Sequence, residues 1–148
     1  KAYDSFRMSE GERLRMELAG RVDRIGALLL EAESMDSGRA ERTREKLRTK
    51  LAELQAKVDQ DRFEQELVFY LEKMDITEEK VRLKTHCDYF LNTLNEKSSG
   101  RKLGFISQEI GREINTIGSK ANDAAIQKMV VQMKDELEKI KEQLMNVL

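Results

Sequence analysis

From Ile126 onward the apolar residues fall at Ile126, Val130, Met133, Leu137, Ile140, Leu144 and Val147, at intervals of four, three, four, three, four and three. Such a seam leaves little choice of conformation. An α-helix brings residues three and four apart onto one face, and a seam over three heptads long must be buried against another helix. None of the 148 residues is proline, so no pyrrolidine ring breaks a helix anywhere in the chain. With 37% charged and only 5% aromatic residues, the composition suits long helices with polar outer faces better than a sheet. The expected fold is all-α: long antiparallel helices in a hairpin or bundle, ending in the heptad helix. Whether the seam meets a helix of this chain or of a neighbour is left open.

Four more helices are expected upstream and in the middle. Leu14, Leu18, Ile25, Leu29 and Ala32, with Val22 beside them, give the first its stripe. "MDSGR" (Met35 to Arg39) ends it, with Gly38 suited to a turn. A long second helix is expected from Ala40 through Leu47, Leu51, Leu54, Val58, Phe63, Leu67 and Leu71 to about Met74. "DITEEK" then offers Asp75 or Thr77 as an N-cap for a third helix carrying Ile76, Leu83, Cys87, Phe90 and Leu94. "EKSSG" is the clearest loop. A fourth helix follows from about Arg101, with Leu103, Ile106, Ile110, Ile114 and Ile117 as its core face. Gly104, Gly111 and Gly118 sit seven apart on one flank of it. Each costs about 1 kcal/mol of helix propensity relative to alanine. Close approach of another backbone, approach of a ligand, or plain tolerance at an interface all fit that spacing.

Several functional classes are set aside. The lone Cys87 cannot form an internal disulfide or an all-cysteine zinc site, and it suits a reducing cytoplasm. No run reaches the roughly 18–20 apolar residues of a membrane span, and the amino-terminal "KAYDSFRMSEGERL" has no signal-type apolar core. No Walker, zinc or nucleophile-elbow motif occurs. A formal charge of −1 gives no global attraction to a polyanion. Locally, "RAERTREKLRTK" (Arg39 to Lys50) sets six cations against two glutamates. It fits a phosphate contact or a solvated face, with no aromatics interleaved for base stacking.

The fourth helix carries two adjacent polar stripes, Gln108, Arg112, Asn115 and Ser119 beside Lys102, Glu109, Glu113, Thr116 and Lys120. The third helix adds Asp75, Glu79, Arg82 and His86, spaced four, three and four. If the two helices pack by their apolar faces, these rows edge one cleft. It would hold carboxylates for a divalent cation, arginines for phosphate and a histidine able to move protons near neutral pH. The same spacing also fits ordinary surface pairs of Glu109 and Glu113 with Arg112 and Lys120.

"DITEEKVRLKTHCDYF", "GRKLGFISQEIGREINTIGSKAND" and the terminal "KDELEKIKEQLMNVL" together resemble the C-terminal half of the YicC/YloC family. "EGERLRMELAGRVDRI" and "RFEQELVFYLEKMDI" match the family's middle region more loosely. On that resemblance residues 1–74 are a helical hairpin or arm, and residues 75–148 are the C-terminal helical domain. The family's "SMTGF/Y"-like opening is not in this sequence, so on that resemblance the chain is expected to be a fragment or processed product, the C-terminal half of a longer protein. The resemblance implies a cytoplasmic, bacterial, metal-dependent endoribonuclease using Mg²⁺ or Mn²⁺, assembled as a ring-like homo-oligomer such as a hexamer around RNA.

Carried over by motif, the site candidates fall into three groups. His86, Glu109 and Glu113 are catalytic. Glu79, Glu109 and Glu113 are metal ligands. Arg82, Lys84, Arg101, Lys102, Arg112, Asn115, Ser119 and Lys120 contact RNA. Asp75 and Glu78 belong to the same first block. Gly104 and Gly111 depart from the family pattern, standing where many members have aspartate and asparagine. The alternative is a non-catalytic helical module that binds RNA or delivers it to another ribonuclease. A scaffold without RNA contact would explain the heptads but not "QEIGREINTIGSK".

Overall fold

The computed structural model describes residues 2–53, 59–97, 99–121 and 123–147, with side chains from residue 10 to 146. The described residues form six helices and no strand: α1 (Ala2–Asp36), α2 (Arg39–Glu53), α3 (Gln60–Met74), α4 (Thr77–Thr93), α5 (Gly100–Lys120) and α6 (Ala124–Val147).

The heptad seam of α6 finds its partners within the chain. Ile126, Val130, Met133, Leu137, Ile140 and Leu144 are all buried, and α6 packs against α1 on one side and α5 on the other. The side chain of Val147 lies outside the described residues. The helix α4 completes the ring by packing on α5 and α1. Contacts at two levels of each seam fix the directions as antiparallel. Arg21 meets Glu136 and Glu17 meets Gln143 between α1 and α6. Glu79 meets Lys120 and Glu113 meets Arg82 between α4 and α5, and Gly118 lies against Val130 and Gly111 against Leu137 between α5 and α6. Between α1 and α4, Asp36 meets Lys80 while Val22 and Gly26 share a depression with Cys87 and Leu91. The result is a four-helix bundle of α1, α4, α5 and α6 around one apolar cluster. Its core includes Val22, Ile25, Phe90, Ile110, Ile114 and Met133, each fully enclosed. Each such side chain contributes about 1.5–3 kcal/mol of burial. Because α1 shares this cluster, the expected division at residue 74 does not coincide with a division of the core.

The long second helix is corrected by the structure. Asp59 starts a new helix, its Oδ1 accepting from the N–H groups of Asp61 and Arg62. An aspartate placed there satisfies two of the first-turn donors, so a new helix begins where continuous periodicity had suggested one passing through. Leu54 and Val58 lie outside the described residues. The helices α2 and α3 run antiparallel, joined by an Arg48–Glu64 pair at 2.5 Å. They form a hairpin inserted between the first and second helices of the bundle.

The hairpin is tied down at its base. Gly38 turns the chain with φ +78°, a conformation that costs glycine little. Arg39, buried there, donates from Nε to Asp36 at 2.7 Å and from Nη2 to the Met74 carbonyl at 2.5 Å. Lys80 reaches the other Asp36 oxygen at 2.7 Å. Arg42 donates to the Ser37 and Met35 carbonyls, covering the end of α1. Two of the six cations in the basic segment, Arg39 and Arg42, are thus structural, and a third, Arg48, is in an ion pair.

The other boundaries follow their local chemistry. The helix α4 starts within "DIT", but its N-cap is Ile76, without a side-chain cap, rather than Asp75 or Thr77. Asp75, one residue ahead of that position, accepts at Oδ1 from both the backbone N–H and the hydroxyl of Thr77. Asp123 Oδ1 accepts from the N–H groups of Ala125 and Ile126 to start α6. Gln127 closes the preceding turn by donating to the Gly118 and Ala121 carbonyls.

Candidate functional site

The polar rows meet where α4 and α5 run antiparallel. On α4, Glu79 and Arg82 flank the buried Leu83; on α5, Glu113 and Lys120 flank Ile114 and Ile117. Packing the apolar stripes therefore forces the neighbouring polar flanks together. Glu79 is only 2% exposed and Glu113 5%. Two carboxylates this deeply covered carry a large desolvation cost unless cations and hydrogen bonds accompany them.

Those partners come from across and along the seam. Arg82 Nε donates to Glu113 Oε1 at 3.0 Å, and its Nη1 to Glu78 Oε2 at 3.2 Å. Arg82 Nη2 stands 3.9 Å from Glu79 Oε2. Lys120 Nζ donates to that same Glu79 oxygen at 2.9 Å and lies 3.4 Å from the Asp75 carbonyl. The hydrogen bond to Glu113 is the chief reason the Arg82 guanidinium is held above its ordinary pKa, with Glu78 next. Bonds from Thr77 hold Asp75 below the usual carboxylate range. Glu113 Oε2 is buried and has no hydrogen-bond partner among the described residues.

The remaining candidates are distributed more widely. His86, half-buried, lies one turn beyond Arg82 on α4. The antiparallel register carries it to the level of Glu109, one turn before Glu113. Glu109 itself is exposed and paired with Arg112 at 3.7 Å. Asn115 and Ser119 lie on the outer face of α5, where the Ser119 hydroxyl donates to the Asn115 carbonyl. Lys102 pairs with Glu96 at 3.2 Å and lies over the Tyr89 ring at 5.1 Å. Arg101 is exposed at the start of α5. Lys84 lies on the opposite flank of α4, beside Gly26, Ala27 and Leu30 of α1, away from the seam. Cys87 is buried, which pushes its thiol up to about 12 and makes it a poor nucleophile.

The expected metal triad is not assembled. Among the described residues no three His, Cys, Asp or Glu side chains converge as a group able to hold a metal ion. Glu79 and Glu113 already hold Lys120 and Arg82, while Glu109 faces outward. Mg²⁺ keeps several waters and is commonly held by one or two carboxylates together with substrate phosphates, so what the geometry lacks is a protein-only triad of Glu79, Glu109 and Glu113.

Sequence reasoning found both rows but not their pairing. It left open whether Lys120 joined a shared cleft or paired on the surface with Glu109 and Glu113; Lys120 crosses to Glu79. It also passed over Phe105, which is exposed beside Arg101 and Gln108. The signal was present: Phe105 follows Arg101 by four on the face opposite the isoleucines.

A family model described as "Endoribonuclease YicC-like, C-terminal" matches residues 32–148. The chain is 42% identical over 146 residues to the "Probable endoribonuclease YicC" of Clostridioides difficile (strain 630), covering 96% of this chain and 50% of that protein. It is 33% identical over 146 residues to the protein of the same name from Haemophilus influenzae, covering 98% of this chain and 51% of the relative. The chain thus spans about half the length of the curated relatives it matches. Among the described residues no helix is long and apolar enough to cross a membrane.

Proposed function

The chain belongs to the YicC-like family, and from that premise we propose that it is part of an endoribonuclease, a hydrolase that cuts RNA phosphodiester bonds. One observation carries the reading from the side of the geometry. Arg82 Nη2 and Lys120 Nζ approach the same oxygen of buried Glu79 at 3.9 and 2.9 Å, which holds the two cationic nitrogens within about 7 Å of each other. A single phosphate can bridge that span.

Glu79 and Glu113 act as positioning residues: buried and fixed, they set the angle at which Arg82 and Lys120 face solvent. Cations held in advance stabilise charge developing on a phosphate without reorganising at the moment of reaction. His86, one turn from Arg82, is the imidazole placed to transfer a proton. Arg101, Lys102, Arg112, Asn115 and Ser119 extend the contact to neighbouring nucleotides.

A cleavage assay on a structured RNA tests this, with the chain run beside a full-length relative, in Mg²⁺ or Mn²⁺ and in EDTA. Cleavage by both proteins, abolished by Glu113→Gln while assembly survives, is the expected result. Wild-type cleavage by Glu113→Gln removes that residue from the site. The EDTA arm decides the expected metal requirement, and sedimentation of the two proteins decides the expected ring-like homo-oligomer.

The second reading is an RNA-binding or assembly module that serves another ribonuclease. It is favoured by the ion pairing of both buried carboxylates, Glu79 with Lys120 and Glu113 with Arg82. Binding with steep salt dependence and no product, from chain and full-length relative alike, would establish it.

A further inference from the structure

Three glycines lie seven apart on α5, and only two have a packing reason. A Cβ at Gly111 would stand 3.0 Å from Leu137, and one at Gly118 3.1 Å from Val130, so α6 closes tightly on both. At Gly104 no described atom lies within 4 Å of the Cβ position. Glycine inside a helix is destabilising relative to alanine, and here no neighbouring helix gains from it. Its effect is a notch in the outer surface. Gly104, Arg101, Phe105 and Gln108 line a depression of about 410 Å³, in which Phe105 remains 64% exposed.

The notch belongs to a longer row. Arg101, Phe105, Gln108, Arg112, Asn115 and Ser119 follow one another at four, three, four, three and four. All are exposed, on the face opposite the isoleucine stripe. The row contains two arginines and no acid. Arg112 is paired with exposed Glu109 on the neighbouring stripe at 3.7 Å, a solvent-exposed pair that a phosphate can replace, so the row complements a polyanion. Arg101 also borders a second depression of about 520 Å³ that Arg15 and Lys97 help to line. The one acid there, Glu96, is tied to Lys102.

We propose that Gly104 and Phe105 form a subsite for an unpaired RNA base. The base stacks on the Phe105 ring, the Gln108 amide bonds to its edge, and Arg101 and Arg112 hold the flanking phosphates. The inference rests on the RNA reading above and adds the form of RNA recognised. A duplex hides the faces of its bases within its own stack, whereas a single strand offers them to an aromatic side chain. Phe105 precedes Glu113 by eight residues, about 12 Å along the helix. A strand lying on the row therefore reaches the level of Glu113 on a face about 100° around the helix from the Arg82–Lys120 seam.

The test is fluorescence anisotropy with this chain, using an unpaired oligoribonucleotide and a duplex of the same length over a range of salt. Phe105→Leu should weaken binding of the unpaired strand by about 5- to 150-fold, the loss expected of one base–aromatic stack, and leave the salt slope unchanged. Phe105→Trp should restore it. Gly104→Leu, which fills the notch, should weaken binding while unfolding no earlier than the parent. Arg112→Gln should lower the salt slope by about 1.

Unchanged affinity of Phe105→Leu would overturn the subsite and leave the RNA reading standing. Equal losses on duplex and single strand would overturn it too. A changed sedimentation coefficient with unchanged RNA affinity would assign Phe105 to a protein contact instead. Failure of the wild-type chain to bind either RNA would remove the RNA reading of this chain and the subsite with it.

Discussion

The bundle and the α2–α3 hairpin are built from similarly charged, proline-free sequence, but different forces hold them. Each bundle helix turns an apolar stripe into a shared core of fully enclosed side chains. In the hairpin, Leu67 is buried outside that core, and among the described residues the only other buried one is Arg39 at the base. The bundle is thus secured by area removed from water, which is non-directional and adds up along the helices. The hairpin depends on a few directional contacts at its base, Arg39 with Asp36 and Met74 and Lys80 with Asp36. Amphipathic periodicity alone did not distinguish the two, because both regions carry an apolar stripe.

The most severe way to test this contrast is to open a cavity in the bundle. Ile114→Ala should cost about 2–5 kcal/mol, read as a lower urea midpoint by circular dichroism. Leu67→Ala should leave that midpoint closer to wild type and reduce amide protection in α3 alone. Equal loss of the whole transition in both variants would mean that the hairpin shares the bundle's core after all.

A smaller effect is expected at the seam between α4 and α5. Removing the Arg82 side chain leaves Glu113 and Glu79 buried with fewer partners, so Arg82→Met should lower the midpoint less than Ile114→Ala. RNA cleavage should fall further than stability does. Loss of activity in strict proportion to the folded fraction would make Arg82 purely structural.

The hairpin base has its own signature in pH. Burial works against the Asp36 carboxylate, but hydrogen bonds from Lys80 and Arg39 outweigh it and hold its pKa below the ordinary value. A depressed pKa means that its stabilisation is present at neutral pH. That stabilisation begins to be lost near the unfolded value of about 4 and continues to be lost as pH falls through the folded value. Amide protection of α2 and α3 should therefore decline on acidification ahead of the bundle's. Asp36→Asn should start lower at neutral pH and show a flatter acid limb; an unchanged limb would place the titration elsewhere.

The smallest effects separate the packed and open sides of α5. Gly104→Ala should stabilise the chain by about 0.5–1 kcal/mol, since its Cβ meets nothing. Gly111→Ala should lower stability, since its Cβ would press on buried Leu137 at 3.0 Å. Calorimetry of the two variants checks the signs. The same sign for both would mean that α6 yields at Leu137.

Helicity, the apolar faces of α1, α4, α5 and α6, and most helix boundaries were determined by the sequence alone, because periodicity, capping residues and missing proline act over a few residues. The two polar rows were legible for the same reason. Only the tertiary structure decided what they pair with: Lys120 crosses to Glu79 and Arg82 to Glu113, while Lys84 turns to the α1 side. It also decided that α6 seals a bundle within its own chain, and that Gly111 and Gly118 are packed while Gly104 is open. Each of these depends on which helix occupies the neighbouring groove, and such contacts join residues up to 126 apart in the chain, beyond the reach of any local pattern.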